Sequence, residues 1–198
     1  MGAAGNKPCA RQRSGLGRAL RLWLCGCLAV GALAVFGVKS LGNIVSDVAF
    51  KAELPADLQF NRLVVAKEAR LLTAYAAGEA VREYHIALGW APEGHKQMEG
   101  DGKTPEGVYF VDGKNPNSRY YKNLAVSYPN ADDRAAAVAL GVSPGGDIKI
   151  HGLPAGQEHL GGTHWLQDWT AGCIAVSNEE IDELYTRTPV GTPIEILP

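Results

Sequence analysis

Cysteine is scarce in this sequence outside its N-terminal stretch. The 198 residues contain four cysteines, and Cys9, Cys25 and Cys27 lie in or before an apolar N-terminal run. Only Cys173 remains for the rest of the chain, which excludes a framework of intrachain disulfides there. A single leftover cysteine is either a small buried hydrophobe or a reactive group, and its neighbours in the sequence help to decide between the two.

Basic residues are also few beyond that stretch. After Asn43 the chain has 13 Lys and Arg against all 21 Asp and Glu, a net charge of about −8. Such a surface lacks the basic patch that binding to phosphates needs. The composition therefore argues against nucleic acid as a partner.

One long apolar run is present near the N-terminus. Residues 1–21 carry five Lys and Arg and no acidic residue, and the seventeen residues of 22–38 are all apolar or small. This pattern predicts a cytoplasmic basic region at 1–21 and a signal anchor or cleavable signal peptide at 22–42, with the remainder in the periplasm or cell envelope. The length fits either, and because no clear A-x-A site follows the run we favour an inner-membrane anchor. A linker is predicted at 43–60 and a single domain at 61–198.

The domain is predicted to be mainly β, an antiparallel sandwich or barrel with short helices. Short runs rich in β-branched and aromatic residues alternate with tight turns, and the glycine-rich stretch 89–107 predicts a loop. Two helices are predicted, and the second begins with a capping box of Ser177 and Glu180. The predicted strands lie at 62–66, 70–76, 81–88, 107–111, 123–129, 147–151, 174–176 and 194–197, and the helices at 131–140 and 178–187.

His151 and Cys173 frame a segment rich in Gly and Trp that has neither helical nor strand periodicity, which predicts a functional loop. Gly172 permits a backbone conformation that lets the following N–H groups approach a substrate carbonyl. A thiol with an unperturbed pKa of about 8.5 needs a base or a cation nearby to become nucleophilic at neutral pH. His151 can supply the base, so the pair predicts thiol-dependent acyl transfer with an activated thiolate at Cys173.

Two other interpretations of the same residues remain open. His151, His159, His164 and Cys173 are residue types that bind zinc, but their spacing is not that of a helical or C-x-x-C site. Cys173 could also be buried filler, with His151 satisfied at the end of a strand. We favour the catalytic interpretation and predict neither a metal nor a cofactor.

The IHG at 150–152 and the T-x-G-C at 170–173, followed by apolar residues, resemble the YkuD-type L,D-transpeptidase catalytic domain of bacterial cell-wall enzymes. A second stretch agrees, because 100–109 has the family's G-D-x-x-T-P-E-G-x-Y pattern. The resemblance covers roughly 61–198. It implies that Cys173 is the nucleophile, His151 the proton donor and acceptor, and the Gly152 carbonyl the group that orients the imidazole.

The resemblance further implies a substrate and a reaction. The thiol would form a thioester with a peptidoglycan stem peptide, and a second stem, a lipoprotein lysine or water would resolve it. The chain departs from the family at Ala171, where many members have a basic or His residue, and at Ala175, where many have Arg. A catalytically idle wall-binding module is the alternative from another class, and Ala175 in place of Arg is its only support.

Several residues near the nucleophile are candidates for other roles. His164, Trp165, Trp169 and Thr170 are predicted to bind substrate, although the two tryptophans could instead pack the Gly/Trp-rich segment down. Asp168 and Asp147 are weak candidates for orienting the imidazole, and a backbone carbonyl near Gly152 is a better one. The predicted site residues are thus Cys173, His151, Gly152, Gly172, Trp165, Trp169, Thr170 and His164.

Overall fold

The computed structural model describes residues 1–2 and 53–198, and the described residues from 53 onward form one compact unit. The predicted basic region and the apolar run at 22–42 lie outside the described residues, apart from the first two. So does most of the predicted linker. Within the described part, no helix is both long and apolar enough to cross a membrane.

The domain is a mostly β half-barrel with a few short helices, which confirms the predicted class. Eight strands form one sheet in the order β3-β2-β1-β8-β4-β5-β6-β7. The elements in chain order are β1 Arg62–Ala66, β2 Leu71–Ala76, β3 Glu79–His85, β4 Gly107–Ser118, β5 Tyr121–Val126, α1 Ala131–Leu140, β6 Lys149–His151, a 3-10 segment Glu158–Leu166, β7 Ile174–Ala175, α2 Asn178–Arg187 and β8 Pro193–Leu197.

The prediction of a purely antiparallel sheet is wrong at two places. β1 pairs with β8 in parallel, and so does β6 with β7, while the other pairs are antiparallel. A parallel pair needs a long crossover connection, which a hairpin turn cannot provide. Residues 152–173 supply one between β6 and β7, so the Gly/Trp-rich segment is that crossover. The sequence predicted no regular structure there, whereas the middle of the segment forms the 3-10 turns of Glu158–Leu166.

Strand alternation builds the core. In β2 the residues Leu72, Ala74 and Ala76 are buried while their neighbours are half-buried, as expected for a strand with one face inside. The helices are those predicted, and Ser177 and Glu180 form the expected capping box at the start of α2. Its buried face, including Ile181 and Leu184, joins the same core.

Strand β4 is longer than predicted, because it continues from Val111 through the polar stretch to Ser118. Its first part pairs with β8 and its second with β5, with register shifts between Val111 and Gly113 and between Asn115 and Ser118. Such bulges bend a strand and tolerate residues of low β propensity. The bend carries the β4–β5 turn across to the end of β6, where His151 lies.

Candidate active site

His151 ends β6, and Cys173 immediately precedes β7, the neighbouring parallel strand. The register pairs Ile150 with Ile174 and His151 with Ala175. Side chains alternate along a strand, so Cys173, two residues before Ala175, lies on the same face of the sheet as His151. Both residues line one cavity of about 420 Å³. The structure thus brings the two predicted residues into one site.

The imidazole of His151 is buried and held in one orientation. Its Nδ1 lies 2.7 Å from the Gly152 carbonyl oxygen. Because a carbonyl can only accept a hydrogen bond, Nδ1 carries the proton of the neutral ring and Nε2 keeps a lone pair. The ring packs at 4.5 Å from Tyr120 and, edge-on, at 5.7 Å from Trp169. Both aromatic contacts restrict its rotation.

Gly152 is a glycine because its surroundings leave no space for a side chain. A Cβ there would lie 2.6 Å from Asn178 Oδ1 and 3.0 Å from Ile181 Cγ2. Asn178 Oδ1 also accepts a hydrogen bond of 2.8 Å from the Leu153 N–H. The start of α2 therefore fixes the backbone that presents the orienting carbonyl to His151.

The turn before Cys173 depends on Gly172 and Thr170. Gly172 has φ +128°, and a Cβ there would lie 2.6 Å from the Lys103 carbonyl oxygen, within the second family-like motif. The Thr170 hydroxyl donates to the Cys173 carbonyl at 2.7 Å and accepts from the Gly172 N–H at 3.1 Å. Within the described residues the Cys173 N–H has no acceptor. This N–H is therefore available to a ligand acceptor.

Burial shifts the pKa values of the thiol and the imidazole in the directions that favour their neutral forms. Burial raises the pKa of Cys173 above its ordinary value, although the Lys149 backbone N–H and charge act in the opposite direction. Burial lowers the pKa of His151 to about 4, partly offset by the bond to Gly152. The thiol lies 3.6 Å from the Asp147 carbonyl oxygen, a hydrogen bond that retains its proton. The direction of these two shifts is opposite to that of the predicted activated thiolate.

Neither predicted carboxylate orients the His151 ring. Asp168 is bound by Arg70, with Oδ2 at 2.7 Å from Nη2, and it also accepts the Leu88 N–H at 2.8 Å. Asp147 is exposed and pairs with Lys149 at 2.6 Å. The Gly152 carbonyl is the orienting group that the geometry offers.

The other predicted site residues occupy different places. Trp169 packs edge-on against the His151 ring, whereas Trp165 stacks on His85 with 4.4 Å between ring centroids. His164 is buried; its Nδ1 lies 2.6 Å from the Gly161 carbonyl oxygen and its Nε2 has no partner. Thr170 is buried as well, and its hydroxyl serves the backbone of the cysteine turn. Among residues 53–198, no three His, Cys, Asp or Glu side chains are grouped so that they could hold a metal ion.

Sequence reasoning missed the wall that the β4–β5 turn contributes. Arg119 and Tyr120, in the turn itself, line the cavity that holds His151 and Cys173, together with Lys149. Tyr121 begins β5 with φ +67°, which is uncommon for a bulky residue and costs conformational energy. Its hydroxyl donates to Asp182 of α2 at 3.0 Å, which holds the turn in place. No sequence signal pointed to this wall, because the polar stretch predicted the end of a strand.

Two features together define the class of protein: a mostly β half-barrel, and a cavity that holds both a thiol and an imidazole. The family profile for the YkuD L,D-transpeptidase catalytic domain matches residues 61–196, so the chain belongs to this family. The resemblance that the two motifs carry is thereby confirmed.

Individual relatives agree with the family. The chain is 34% identical over 125 residues to the putative L,D-transpeptidase YafK of Escherichia coli, a match that covers 60% of this chain and 43% of that protein. The crystal structure of the helical cell shape determining protein Pgp2 from Campylobacter jejuni is similar, with a TM-score of 0.53 and 27% identity. That match covers 71% of this chain and 48% of Pgp2. The chain thus matches less than half the length of either relative.

Proposed function

We propose that this chain is a cysteine-dependent L,D-transpeptidase that acts on peptidoglycan stem peptides through a thioester at Cys173. The observation that carries the proposal is a single cavity lined by the thiol and by an imidazole whose Nδ1 is held by the Gly152 carbonyl. Family membership and the likeness to a protein that determines helical cell shape support it.

In the acylation step, Sγ of Cys173 attacks the carbonyl carbon of a diaminopimelate-type residue while Nε2 of His151 takes the thiol proton. The C–S bond forms, the C–N bond to the terminal D-alanine breaks, and the imidazolium returns the proton to the leaving amine. Because burial disfavours the imidazolium, proton uptake is concerted with attack and the proton is readily released. The Cys173 N–H is placed to stabilise the oxyanion.

In the second step an amine attacks the thioester carbonyl and loses its proton to His151, which returns it to the sulfur as the C–S bond breaks. An amine from a second stem gives a cross-link, and a lipoprotein lysine gives a protein anchor. The cavity is lined mainly by polar side chains, so water can also reach the thioester. Water in this role gives an L,D-carboxypeptidase or amidase, which is the second candidate.

The place of action follows from the chemistry and from the N-terminal sequence. Stem peptides of the wall lie outside the cytoplasmic membrane, and the basic region followed by an apolar run predicts export of the domain. We therefore place the reaction in the periplasm or cell envelope, with the N-terminal segment as a membrane anchor or cleaved signal. Neither a nucleic acid nor a cofactor has a part in this reaction.

Intact mass spectrometry tests the proposal. Incubation of the full chain with a stem tetrapeptide, or with a carbapenem as a slowly released acylating agent, is expected to add the acyl mass to the wild-type protein. Cys173→Ala is expected to show no adduct. A wild-type protein that stays unmodified with both reagents contradicts the proposal and favours the idle wall-binding module, for which Ala175 in place of the family's frequent Arg is the support.

Treatment of purified sacculi with the full chain tests the choice of acceptor. New cross-links indicate transfer to a second stem, and loss or gain of bound lipoprotein indicates a lysine acceptor. Release of D-alanine alone indicates that water resolves the thioester.

A further inference from the structure

A second cavity lies beside the catalytic one and shares a wall with it. Its volume is about 390 Å³, and three of its lining residues, Asn117, Ser118 and Arg119, also line the cavity that holds His151 and Cys173. A ligand that reaches the thiol can therefore extend past the β4–β5 turn into this neighbouring cavity.

The two formal charges of the neighbouring cavity have opposite signs and come from different elements. Arg119 belongs to the β4–β5 turn, and Glu158 begins the 3-10 segment of the crossover. Both residues are exposed. A ligand in this cavity meets a cation from one element and an anion from another.

Arg119 has hydrogen-bonding capacity that the protein leaves unused. Its contact in the described part of the chain is with the Tyr120 ring, at 5.6 Å, and it has neither a carboxylate nor a carbonyl partner there. A guanidinium offers a planar fork of donors that matches a carboxylate. The side chain is thus available to a ligand carboxylate without breaking an existing pair.

Glu158 is held as an anion. Its Oε1 accepts the Gly156 N–H at 3.0 Å. That bond and its own backbone N–H lower the pKa of the carboxyl. The second oxygen is free to accept from a ligand ammonium.

Three of the other polar side chains that line this cavity already have a partner, while Asn117 adds an uncharged amide. Asn178 accepts from the Leu153 N–H, Tyr121 donates to Asp182, and the Ser118 hydroxyl accepts from the Tyr120 N–H. The charged groups that remain available for recognition are one cation and one anion.

We propose that the cavity between Arg119 and Glu158 binds a zwitterionic amino-acid head group, in which one carbon bears both an ammonium and a carboxylate. Arg119 receives the carboxylate and Glu158 the ammonium, and both are specificity-determining residues. This inference rests on the proposed function in one respect, that the head group belongs to a stem peptide. The side-chain end of a diaminopimelate-type residue has this chemistry, whereas a lysine side chain has the ammonium alone.

Binding to the full-chain Cys173→Ala protein, measured by calorimetric titration, tests the proposal without requiring turnover. The probes are three stem tetrapeptides that differ at the side-chain end of the third residue: zwitterionic, amidated at the carboxylate, and lysine. The zwitterionic probe is expected to bind about tenfold or more tightly than the other two, as the loss of one charged hydrogen-bonded contact implies. Equal affinity for the three probes, or no binding of any, overturns the proposal.

Two substitutions in the same background assign the contacts. Arg119→Gln is expected to abolish the preference over the amidated and lysine probes, both of which lack the carboxylate. Glu158→Gln is expected to weaken binding of the zwitterionic probe and of the lysine probe to a similar degree. Arg134→Gln and Glu79→Gln change exposed charges outside both cavities and serve as matched controls. A preference for the carboxylate that survives Arg119→Gln overturns the assignment.

A stem tripeptide with the same head group distinguishes the two sources of the ligand. If the cavity holds the head group of the acceptor stem, the tripeptide shows the same preference as the tetrapeptide. If it holds that of the donor stem, the preference is confined to the tetrapeptide, which fills both cavities. Because binding is read without turnover, a failed mass-spectrometric test of the wild-type protein removes the proposed reaction and leaves this result standing.

Discussion

Two cavities of similar size differ in how their charges are satisfied. One, of about 460 Å³, is lined by residues that include Lys67, Arg70 and Glu106, and the other, of about 420 Å³, holds the thiol. In the first, the buried Lys67 ammonium donates to the Gly94 and Thr104 carbonyls and to Glu106, at 2.7, 3.1 and 2.7 Å. Its hydrogen-bonding capacity is used up by the protein itself, and the result is a loop fastened to the sheet.

The catalytic cavity has the opposite character. Lys149 pairs only with the exposed Asp147, and Arg119 has no ionic partner within the described residues. By volume alone the two cavities are alike. The difference lies in whether each polar group already has its partner, since a buried charge with a full set of bonds stabilises the fold and an unused donor can bind a ligand.

The largest effect is expected from His151→Ala, which removes the base from the catalytic cavity. Positioned proton transfer contributes about 10²- to 10⁴-fold, so the rate of acylation should fall by that factor. Measurement is by time-resolved intact mass with a stem tetrapeptide. His159→Ala, an exposed histidine of the same crossover, is the control and should keep the wild-type rate. A loss of less than tenfold in His151→Ala would show that another group takes the thiol proton.

Lys67→Met should lower the stability of the protein, because Lys67 holds the cavity of about 460 Å³ together. Removal of one partner of a buried ion pair leaves Glu106 without its cation, which costs about 3 kcal/mol in the free energy of unfolding. Urea denaturation measures it. The double variant Lys67→Met with Glu106→Gln should recover much of the loss, because no uncompensated charge remains. Equal stability of the single and double variants would mean that the ion pair is not the cause.

The pH dependence of stability should report the buried imidazole of His151. Its pKa is about 4 in the folded state against 6.5 ordinarily, so between these values the unfolded chain binds more protons than the folded one. The free energy of unfolding is therefore expected to fall as the pH drops from about 6.5 to about 4, by about 3 kcal/mol from this group. Comparison of wild type with His151→Gln over this range isolates the contribution. Parallel curves would show that the ring titrates normally.

The acylation rate should also fall when His151 becomes protonated at low pH. The neutral ring is the base, and its pKa of about 4 keeps it neutral well below neutral pH. The acylation rate is expected to stay high to about pH 5 and to fall as the pH passes through about 4.

Local sequence patterns predicted the elements well and their assembly less well. Ser177 and Glu180 marked the start of α2, and the alternating residues of β1 and β2 marked strands, because caps and strand alternation are local. The parallel pairing of β6 with β7 was missed, since it depends on where a long crossover returns the chain. The extension of β4 past Val111 was missed for a similar reason, as bulges made a polar stretch compatible with the sheet.

The sequence brought out two residues that share the candidate cavity, but neither the rest of its wall nor its electrostatics. The two motifs identified Cys173 and His151, and the structure places both in one cavity. The direction of their pKa shifts could not be obtained from the sequence, because it depends on burial in the folded chain, to which Tyr120 contributes at His151. The sequence did not predict Arg119 as a lining residue, because only the bend of β4 brings it to the cavity.

The smallest effect on the free energy of unfolding is expected from Arg119→Gln, which we compare with Arg70→Gln. Arg70 donates through Nε and Nη2 to both oxygens of Asp168, whereas Arg119 has no such partner within the described residues. Arg70→Gln should therefore cost about 1 to 3 kcal/mol in the free energy of unfolding, since the mostly buried Asp168 loses its cation. Arg119→Gln should change it by less than about 0.5 kcal/mol, as an exposed residue without partners does. Urea denaturation of both variants under one condition decides it, and a cost at Arg119 equal to that at Arg70 would mean that its guanidinium is already bound by the protein and is not free for a ligand.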